Sequence, residues 1–243
     1  MFKGYYRKYI FHRIDELKRY IEFSNKLLCE KLEKEKIDNA LEIAQIEDEF
    51  YKEKFLELAY ESENELKFDY SSMHWSSIFI TQYSYIEHIL DEICEFYAAK
   101  TGAKLKLKDL NGAGIERAKN YISKFMGLPE PFGKAEWGRI KDYAKIRNKI
   151  IHAGLYLDQD LDIDKQVIKI ISKINSVSLE RFYHHEPDDP YDESNNNFNS
   201  ILYDPKLELN ADFLNVVVTD YDKFFDHLFD ELEKLVDKNG KGN

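Results

Sequence analysis

The stretch 76–100, SSIFITQYSYIEHILDEICEFYAAK, decides the fold class of this 243-residue chain. Its apolar side chains recur at steps of three and four, the spacing that places them on one face of an α-helix. Gly102 follows at a position where helices commonly stop. We therefore predict a long amphipathic helix whose apolar face forms part of the core or a dimer seam. That face consists of Phe79, Tyr83, Ile86, Leu90, Ile93 and Tyr97.

Helical spacing continues on both sides of this stretch. Between residues 10 and 66, apolar positions recur at helical steps among dense Glu and Lys, which predicts two long charged helices or one broken helix. A weak break at residues 33–38 would fold them into a helical hairpin. Further along, we predict a strand-like piece at 105–110 and helices at 115–126, 134–153 and 211–236.

The segment before the last helix is less regular. Residues 167–174 suit a strand or a helix, and residues 186–199, rich in Pro, Asp and Asn, predict an exposed loop. The sequence thus predicts an all-α fold, a helical bundle with an N-terminal hairpin of long helices and a small irregular or β-containing insertion. The long helices take residues 1–66 and the helical domain takes 67–243, with the insertion at about 156–204.

The charge of the chain is unevenly distributed. The net charge of −11 argues against a general nucleic-acid binder. Residues 100–152, however, contain 13 Lys and Arg against 5 Asp and Glu, a local charge of +8. Because salt screens distant charges beyond ~8 Å at physiological ionic strength, this segment can still attract an anion locally. Alternatively, its lysines are solvated residues on the outer faces of helices.

Cysteine use and hydropathy indicate a cytoplasmic protein. Cys29 and Cys94 lie far apart without a CxxC pair, so we expect neither a zinc ribbon nor a redox motif. The same cysteine use predicts a reducing compartment. The first eleven residues lack the apolar core of a signal peptide. The longest uncharged run, at residues 70–86, is rich in Ser, Thr and Gln and does not predict a membrane span.

The chemistry is concentrated in the sequence RNKIIHAG at residues 147–154. Asn148 and His152 are four apart and share a helix face, whereas Arg147 and His152 are roughly 140° apart around the axis. A histidine can exchange a proton near neutral pH, and a guanidinium binds phosphate through forked donors. Together they can cleave RNA without a metal, and a two-fold dimer could bring two such helix ends together.

At these residues the sequence resembles the HEPN superfamily, whose small helical bundles have an Arg, an adjacent polar residue and a His further along one helix. The resemblance covers about residues 70–236 and leaves the N-terminal helices unexplained. It implies a metal-independent endoribonuclease, acting as a homodimer with a composite cleft and leaving a 2′,3′-cyclic phosphate. Such proteins serve as toxins or as abortive-infection and antiviral defence effectors. Other members have lost activity and act as binding or scaffold modules, which is the alternative here.

The resemblance also assigns roles and partners. Arg147 binds the scissile phosphate, His152 is the general acid and base, and Asn148 orients His152 or the phosphate. The RNA could be tRNA or mRNA, and an antitoxin or regulatory partner could accompany it. Some toxin members have a Tyr two residues after the His that a partner enzyme modifies. Because Gly154 stands there in this chain, we do not expect that regulation.

Residues around the motif are placed to support it. We predict that Lys141, Lys145 and Lys149 steer RNA. Glu87 and Asp91 lie four apart at the edge of the apolar stripe, where they either support Arg147 or are solvated carboxylates on an outer face.

No cofactor and no metal are expected. The sequence GAGIER at residues 112–117 lacks the third glycine of a dinucleotide motif and the Gly-Lys of a phosphate loop, so an ordinary helix entry explains it. His184, His185 and Glu186 lie on a predicted loop that offers no fixed ligand geometry.

Overall fold

The structure, a computed structural model, describes residues 4–158, 160–174, 178–180, 183–184, 201–202 and 206–240. These residues form an all-α bundle, which confirms the predicted fold class. Two short antiparallel strand pairs accompany the helices, Ser178–Glu180 with Lys206–Glu208 and Tyr183–His184 with Ile201–Leu202. The elements are α1 (Tyr5–Ile43), α2 (Glu49–Asn64), α3 (Ser71–Thr101), α4 (Gly114–Asn120), α5 (Ala135–Ala153), α6 (Asp162–Ile171), β1 (Ser178–Glu180), β2 (Tyr183–His184), β3 (Ile201–Leu202), β4 (Lys206–Glu208) and α7 (Ala211–Gly240).

The predicted apolar stripe of α3 lies in the centre of the core. Phe79 packs against Phe213 of α7, with ring centroids 5.3 Å apart. Helix α7 begins where predicted, because Asn210 Oδ1 accepts a hydrogen bond from the backbone N–H of Phe213 at 2.9 Å. Helix α3 ends at Thr101 and is followed by the predicted stop residue Gly102, which has φ of 66°. Apolar spacing and end signals therefore determined both helices. The fully buried side chains of α7 include Phe213, Leu214, Val217, Tyr221, Phe224, Phe225 and Leu228.

The first half of α1 belongs to the bundle. Ile10, Ile14 and Ile21 are buried in the same core as α3 and α7. Ion pairs tie this half to its neighbours, with Lys18 Nζ 2.8 Å from Asp222 of α7. The predicted boundary at residue 66 falls within a π-helical segment, Glu65–Tyr70, that joins α2 to α3 without a break. One core therefore spans both predicted parts of the chain.

The hairpin turn lies later than predicted. Helix α1 continues through residues 33–38 because Glu and Lys favour helix there, and Lys31 pairs with Glu35 at 2.8 Å. The chain turns at 44–48, where Asp48 Oδ1 accepts hydrogen bonds from the N–H groups of Phe50 and Tyr51. The prediction of a hairpin is confirmed, but the break at 33–38 was wrong because the decisive signal is the N-cap Asp48.

Three further predictions are corrected or resolved. The strand-like piece at 105–110 is instead a 3₁₀ turn, Leu107–Asp109, because Asp109 Oδ2 accepts a hydrogen bond from the Lys106 N–H at 2.9 Å. The ambiguous stretch 167–174 is helical through Ile171, as part of α6. Helix α7 runs to Gly240, beyond the predicted end at residue 236. The loop predicted at 186–199 lies outside the described residues.

Candidate active site on the fifth helix

Helix α5 positions the predicted motif. Its buried residues recur at every third position, and three residues advance 300° around an α-helix. The buried face therefore turns by 60° at each step, so the two ends of α5 face different neighbours. These buried residues are Trp137, Ile140, Tyr143, Ile146 and Lys149.

The middle of α5 carries a polar cluster that the sequence pattern did not reveal. Arg139 Nε and Nη2 each donate to the Asp220 carboxylate at 2.7 Å, and the Tyr143 hydroxyl donates to the same carboxylate at 2.6 Å. The hydrogen bonds to Asp220 raise the pKa of Arg139, while burial, followed by the Asp220 hydrogen bond, raises the pKa of Tyr143. The available signal was a carboxylate between Val218 and Tyr221 on the apolar face of α7.

Lys149 has a structural role that corrects its predicted RNA contact. Its side chain is 4% exposed, and its Nζ lies 2.7 Å from Asp164 of α6. The same Asp164 oxygen accepts a hydrogen bond from the backbone N–H of Asp158 at 2.8 Å. A buried ammonium paired in this way fixes α6 against α5 and does not reach solvent. Its neighbours Lys141 and Lys145 are exposed, and Lys145 lies 3.2 Å from Asp142.

Arg147 lies partly buried between α5 and α3. Its Nη1 donates to Asn148 Oδ1 at 3.0 Å, and its Cζ lies 5.9 Å from the ring centroid of Tyr83. Its Nε is buried without a hydrogen-bond partner in the described part of the chain. Asn148 therefore contacts Arg147, and the prediction that it orients His152 has no contact in support. The guanidinium lies beside the Tyr83 ring, and because its Nε is shielded from solvent, a ligand could reach it only through the terminal amino groups.

Glu87 is the carboxylate beside Arg147. Burial raises the pKa of Glu87, the charge of Arg147 lowers it, and Asp91 raises it further. Its side chain lies against the start of α4, where a Cβ added to Gly114 would stand 2.5 Å from Oε1. Asp91 pairs with Arg117 Nη2 at 3.3 Å, so the prediction that it supports Arg147 is corrected. Of the two acids, only Glu87 neighbours the motif arginine.

Two buried tyrosines belong to this region, since Tyr83 lies beside Arg147 and Tyr221 lies close to Tyr83 and Glu87. Tyr83 is buried on α3 and Tyr221 is fully buried on α7. Burial raises the pKa of both phenols, so both are neutral at pH 7. These neutral phenols leave Arg147 and nearby carboxyls, Glu87 first among them, as the ionisable groups here, and partial burial strengthens the electrostatic interaction between Arg147 and Glu87.

His152 stands apart from this patch. It is exposed in the last turn of α5, which ends at Ala153, and the Gly154 N–H closes the helix on Ile150 O at 3.1 Å with φ of 71°. Within the described residues, no hydrogen bond or ion pair joins His152 to Arg147 or Asn148. The single chain thus brings Arg147 and Asn148 together and leaves His152 free at the helix end.

An open groove of about 490 Å³ begins two residues after His152. Tyr70, Met73 and Tyr156 line it and are each more than half exposed. Asp69 and Lys206, 2.9 Å apart, also line this groove. Exposed aromatic rings beside a charged pair can stack on and hydrogen-bond to a planar polar ligand.

The basic residues of the 100–152 segment do not form one surface. Lys100 lies near the end of α3, 17 residues beyond Tyr83, which at 1.5 Å per residue places it roughly 25 Å further along the helix. Lys106 and Lys108 line a separate pocket at that end. The +8 segment is therefore divided between the motif and the opposite end of α3, more than a Debye length away.

The described residues contain no cluster of His, Cys, Asp or Glu that could bind a metal ion. Among the helices that the structure describes, none combines the length and apolar character needed to cross a bilayer. Cys29 is exposed and Cys94 is buried, both as free thiols. These features define an all-α helical-bundle protein. No protein-family model, curated protein or solved structure matches the chain, so the HEPN resemblance stays a prediction from the motif.

Proposed function

We propose that this chain is a metal-independent endoribonuclease of the HEPN type. One observation carries the proposal. Among the partly buried arginines of the described chain, Arg147 alone forms no ion pair with a carboxylate, and its Nη1 donates instead to the neutral amide of Asn148. An unpaired guanidinium held against α3 is suited to bind a phosphate. The arginines that do form such pairs are Arg7, Arg13, Arg117 and Arg139.

In this proposal each group has a defined task. Arg147 binds the scissile phosphate, and Asn148 positions Arg147 through their 3.0 Å hydrogen bond. His152 takes the proton of the ribose 2′-OH, whose oxygen attacks phosphorus. The bond from phosphorus to the 5′-oxygen breaks, and a second imidazole protonates that oxygen. The products are a 2′,3′-cyclic phosphate and a 5′-hydroxyl.

A second copy of the chain supplies the second imidazole in this mechanism. His152 is exposed at a helix end, whereas Arg147 faces α3, so one chain does not converge them on one atom. Two helix ends facing each other across a two-fold axis would place each His152 near the opposite phosphate site. Tyr70 and Tyr156 in the adjacent groove are suited to stack on a base of the bound RNA.

The test is cleavage of total RNA in EDTA with analysis of the 3′ ends. The wild-type chain is expected to leave cyclic phosphates, and Arg147→Ala and His152→Ala are expected to lower the rate by about 100-fold or more. His12→Ala and Arg19→Ala, which change exposed residues of α1, are the matched controls and should retain the wild-type rate. Equal cleavage by wild type and His152→Ala would refute the assignment.

A toxin or antiviral defence role follows from the same activity. Expression of the wild-type chain is then expected to arrest growth, and His152→Ala is expected to relieve the arrest. RNA binding by the inactive variant should weaken as salt rises, because Lys141 and Lys145 would contact the phosphate backbone. Co-purification of a second chain that blocks cleavage would identify the antitoxin or regulatory partner.

The second candidate is a non-catalytic binding or scaffold module. One specific observation favours it, namely the long hairpin of α1 and α2, whose outer faces carry exposed large apolar side chains. Such surfaces mark interaction sites. A chain that cleaves no RNA in the assay above, with or without its native partner chains, and is harmless on expression would support this function instead.

A further inference from the structure

An exposed apolar stripe runs along α1, from the end of the half that packs in the bundle onto the arm that extends beyond it. Tyr20, Phe23, Leu27, Ile37 and Leu41 are each between 47% and 58% exposed. Together with Glu30 and Lys34 they occupy positions 20, 23, 27, 30, 34, 37 and 41, in strict alternation of three and four steps. That alternation is the heptad repeat of a coiled coil, with two charged residues at its centre.

The stripe faces away from the hairpin partner α2. The residues of α1 that contact α2 lie on another side, where Glu35 accepts from Ser62 at 3.0 Å and Asn39 donates to Glu63 at 3.2 Å. At 100° per residue, the two faces are separated by roughly 150° around the axis. The heptad face is therefore open, and the hairpin partner does not cover it.

We propose that this stripe binds the same stripe of a second copy, as an antiparallel two-fold coiled coil. A two-fold axis passing beside residue 32 places Leu27 opposite Ile37 and Phe23 opposite Leu41, in each direction. In heptad terms each layer then joins an a position to a d position, which is the pairing that antiparallel helices require. The outermost layers, at residues 23 and 41, are roughly 27 Å apart along the helix.

The central charges distinguish a second copy from other partners. In the same register Glu30 lies opposite Lys34, and Lys34 lies opposite Glu30, so two opposite-charge contacts form at the centre. Lys34 has no ion pair within the described part of its own chain, and Glu30 has only an exposed Lys26 at 3.7 Å. A parallel pairing would instead place Glu30 against Glu30 and Lys34 against Lys34, which disfavours that alternative.

Two flanking residues oppose the pairing, and their effect is limited. In this register, Lys31 approaches Lys31 of the second copy near the two-fold axis, and Glu33 approaches Glu33 of the second copy. Lys31 is already neutralised by Glu35 at 2.8 Å, and salt screens exposed charges of this kind. Four apolar layers therefore favour association, whereas the repulsion between like charges at the exposed positions 31 and 33 opposes it weakly.

The test is sedimentation of the full chain over a concentration series, in a His152→Ala background that makes the result independent of RNA cleavage. We expect a reversible dimer. Glu30→Lys and Lys34→Glu should each weaken dimerisation by about tenfold or more, because each creates two like-charge contacts. The double variant Glu30→Lys/Lys34→Glu should return to within about threefold of the parent, since the register restores both pairs.

Apolar substitutions provide the matched control. Leu27→Asp should weaken the dimer by at least about 100-fold, because it puts an uncompensated charge into each of two layers and removes their apolar contact. Leu58→Asp, on α2 and 62% exposed, should leave the dimer unchanged. A monomer at about 100 μM would overturn the proposal, because a dimer with a dissociation constant in the micromolar range would be largely assembled at that concentration. A dimer insensitive to Leu27→Asp, or no rescue by the double variant, would also overturn it.

Discussion

Arg147 and Lys149 lie two residues apart on α5 and have opposite surroundings. Lys149 is buried and paired with Asp164, whereas Arg147 lies beside Tyr83 and has no ion pair within the described residues. Both are cations in the same basic segment, so composition alone does not separate them. The buried face of α5 turns along the helix and takes Lys149 inward, which decides their roles.

Asp220 of α7 accepts hydrogen bonds from two residues of α5. Asp220→Asn removes the negative charge of the carboxylate that accepts hydrogen bonds from Arg139 and Tyr143. We expect the free energy of unfolding to fall by about 2 kcal/mol, because a buried hydrogen-bonded pair loses one partner while Arg139 stays partly solvated. Urea denaturation measures this. Asp142→Asn, which alters an exposed pair with Lys145, should change stability by less than about 0.5 kcal/mol.

Glu87 gives the protein a pH dependence of known sign. Burial raises its pKa in the folded state, so the folded chain binds that proton more tightly than the unfolded chain. Protonated Glu87 contributes fully to the stability of the folded chain below the pKa that Glu87 has in the unfolded state. That contribution is lost as pH rises through the pKa that Glu87 has in the folded state.

Glu87→Gln should therefore match wild type in stability at about pH 4 and exceed it at pH 7 by about 0.5 kcal/mol, a figure reduced for partial solvation. Thermal unfolding at both pH values measures the difference. A Glu87→Gln variant that is less stable than wild type at pH 7 would show that ionised Glu87 is held favourably by Arg147.

At the scale of elements, two glycines allow the effect of helix propensity on stability to be measured separately from the effect of close packing. Gly138 lies inside α5, where an added Cβ would meet only open space. Gly114 begins α4 at φ of 53°, and Glu87 Oε1 would stand 2.5 Å from a Cβ at that position. The same substitution should therefore have opposite effects at the two positions.

Gly138→Ala should stabilise the chain by about 0.5–1 kcal/mol, because alanine favours helix and meets nothing. Gly114→Ala should destabilise it by about 1–2 kcal/mol, from backbone strain and displacement of Glu87. Denaturant midpoints measure both effects. Gly133→Ala, without positive φ or a close neighbour, is the reference, and equal effects at positions 114 and 138 would contradict this account.

On the scale of the whole molecule, the N-terminal helix is both part of the bundle and the base of a projecting hairpin. Ile10, Ile14, Leu17 and Ile21 are buried in the common core, whereas no residue of α1 after Ser24 is buried. The first half of α1 therefore contributes more to the free energy of unfolding than the second half does, and truncations can measure the two contributions separately.

Removal of residues 1–66 should abolish cooperative unfolding. Each of those four buried side chains contributes about 2–5 kcal/mol, so together they contribute about as much as the typical total stability of a domain. Replacing residues 36–61 by a short Gly-Ser turn, just beyond the Glu35–Ser62 contact, should keep a single cooperative transition. Circular dichroism during heating distinguishes the two, and cooperative unfolding of 67–243 alone would contradict the expectation.

The sequence by itself determined helices α3 and α7 and the place of the motif. Periodic apolar residues and end signals such as Gly102 and Asn210 are local, so they indicate α3 and α7 without knowledge of their neighbours. Only the tertiary structure decided which polar side chains meet. The pairs Arg139–Asp220 and Lys149–Asp164 join different helices, and Arg147 lies against Tyr83 of α3 with no ion pair to a described carboxylate. Such contacts depend on how helices pack and rotate against one another, which no single helix encodes.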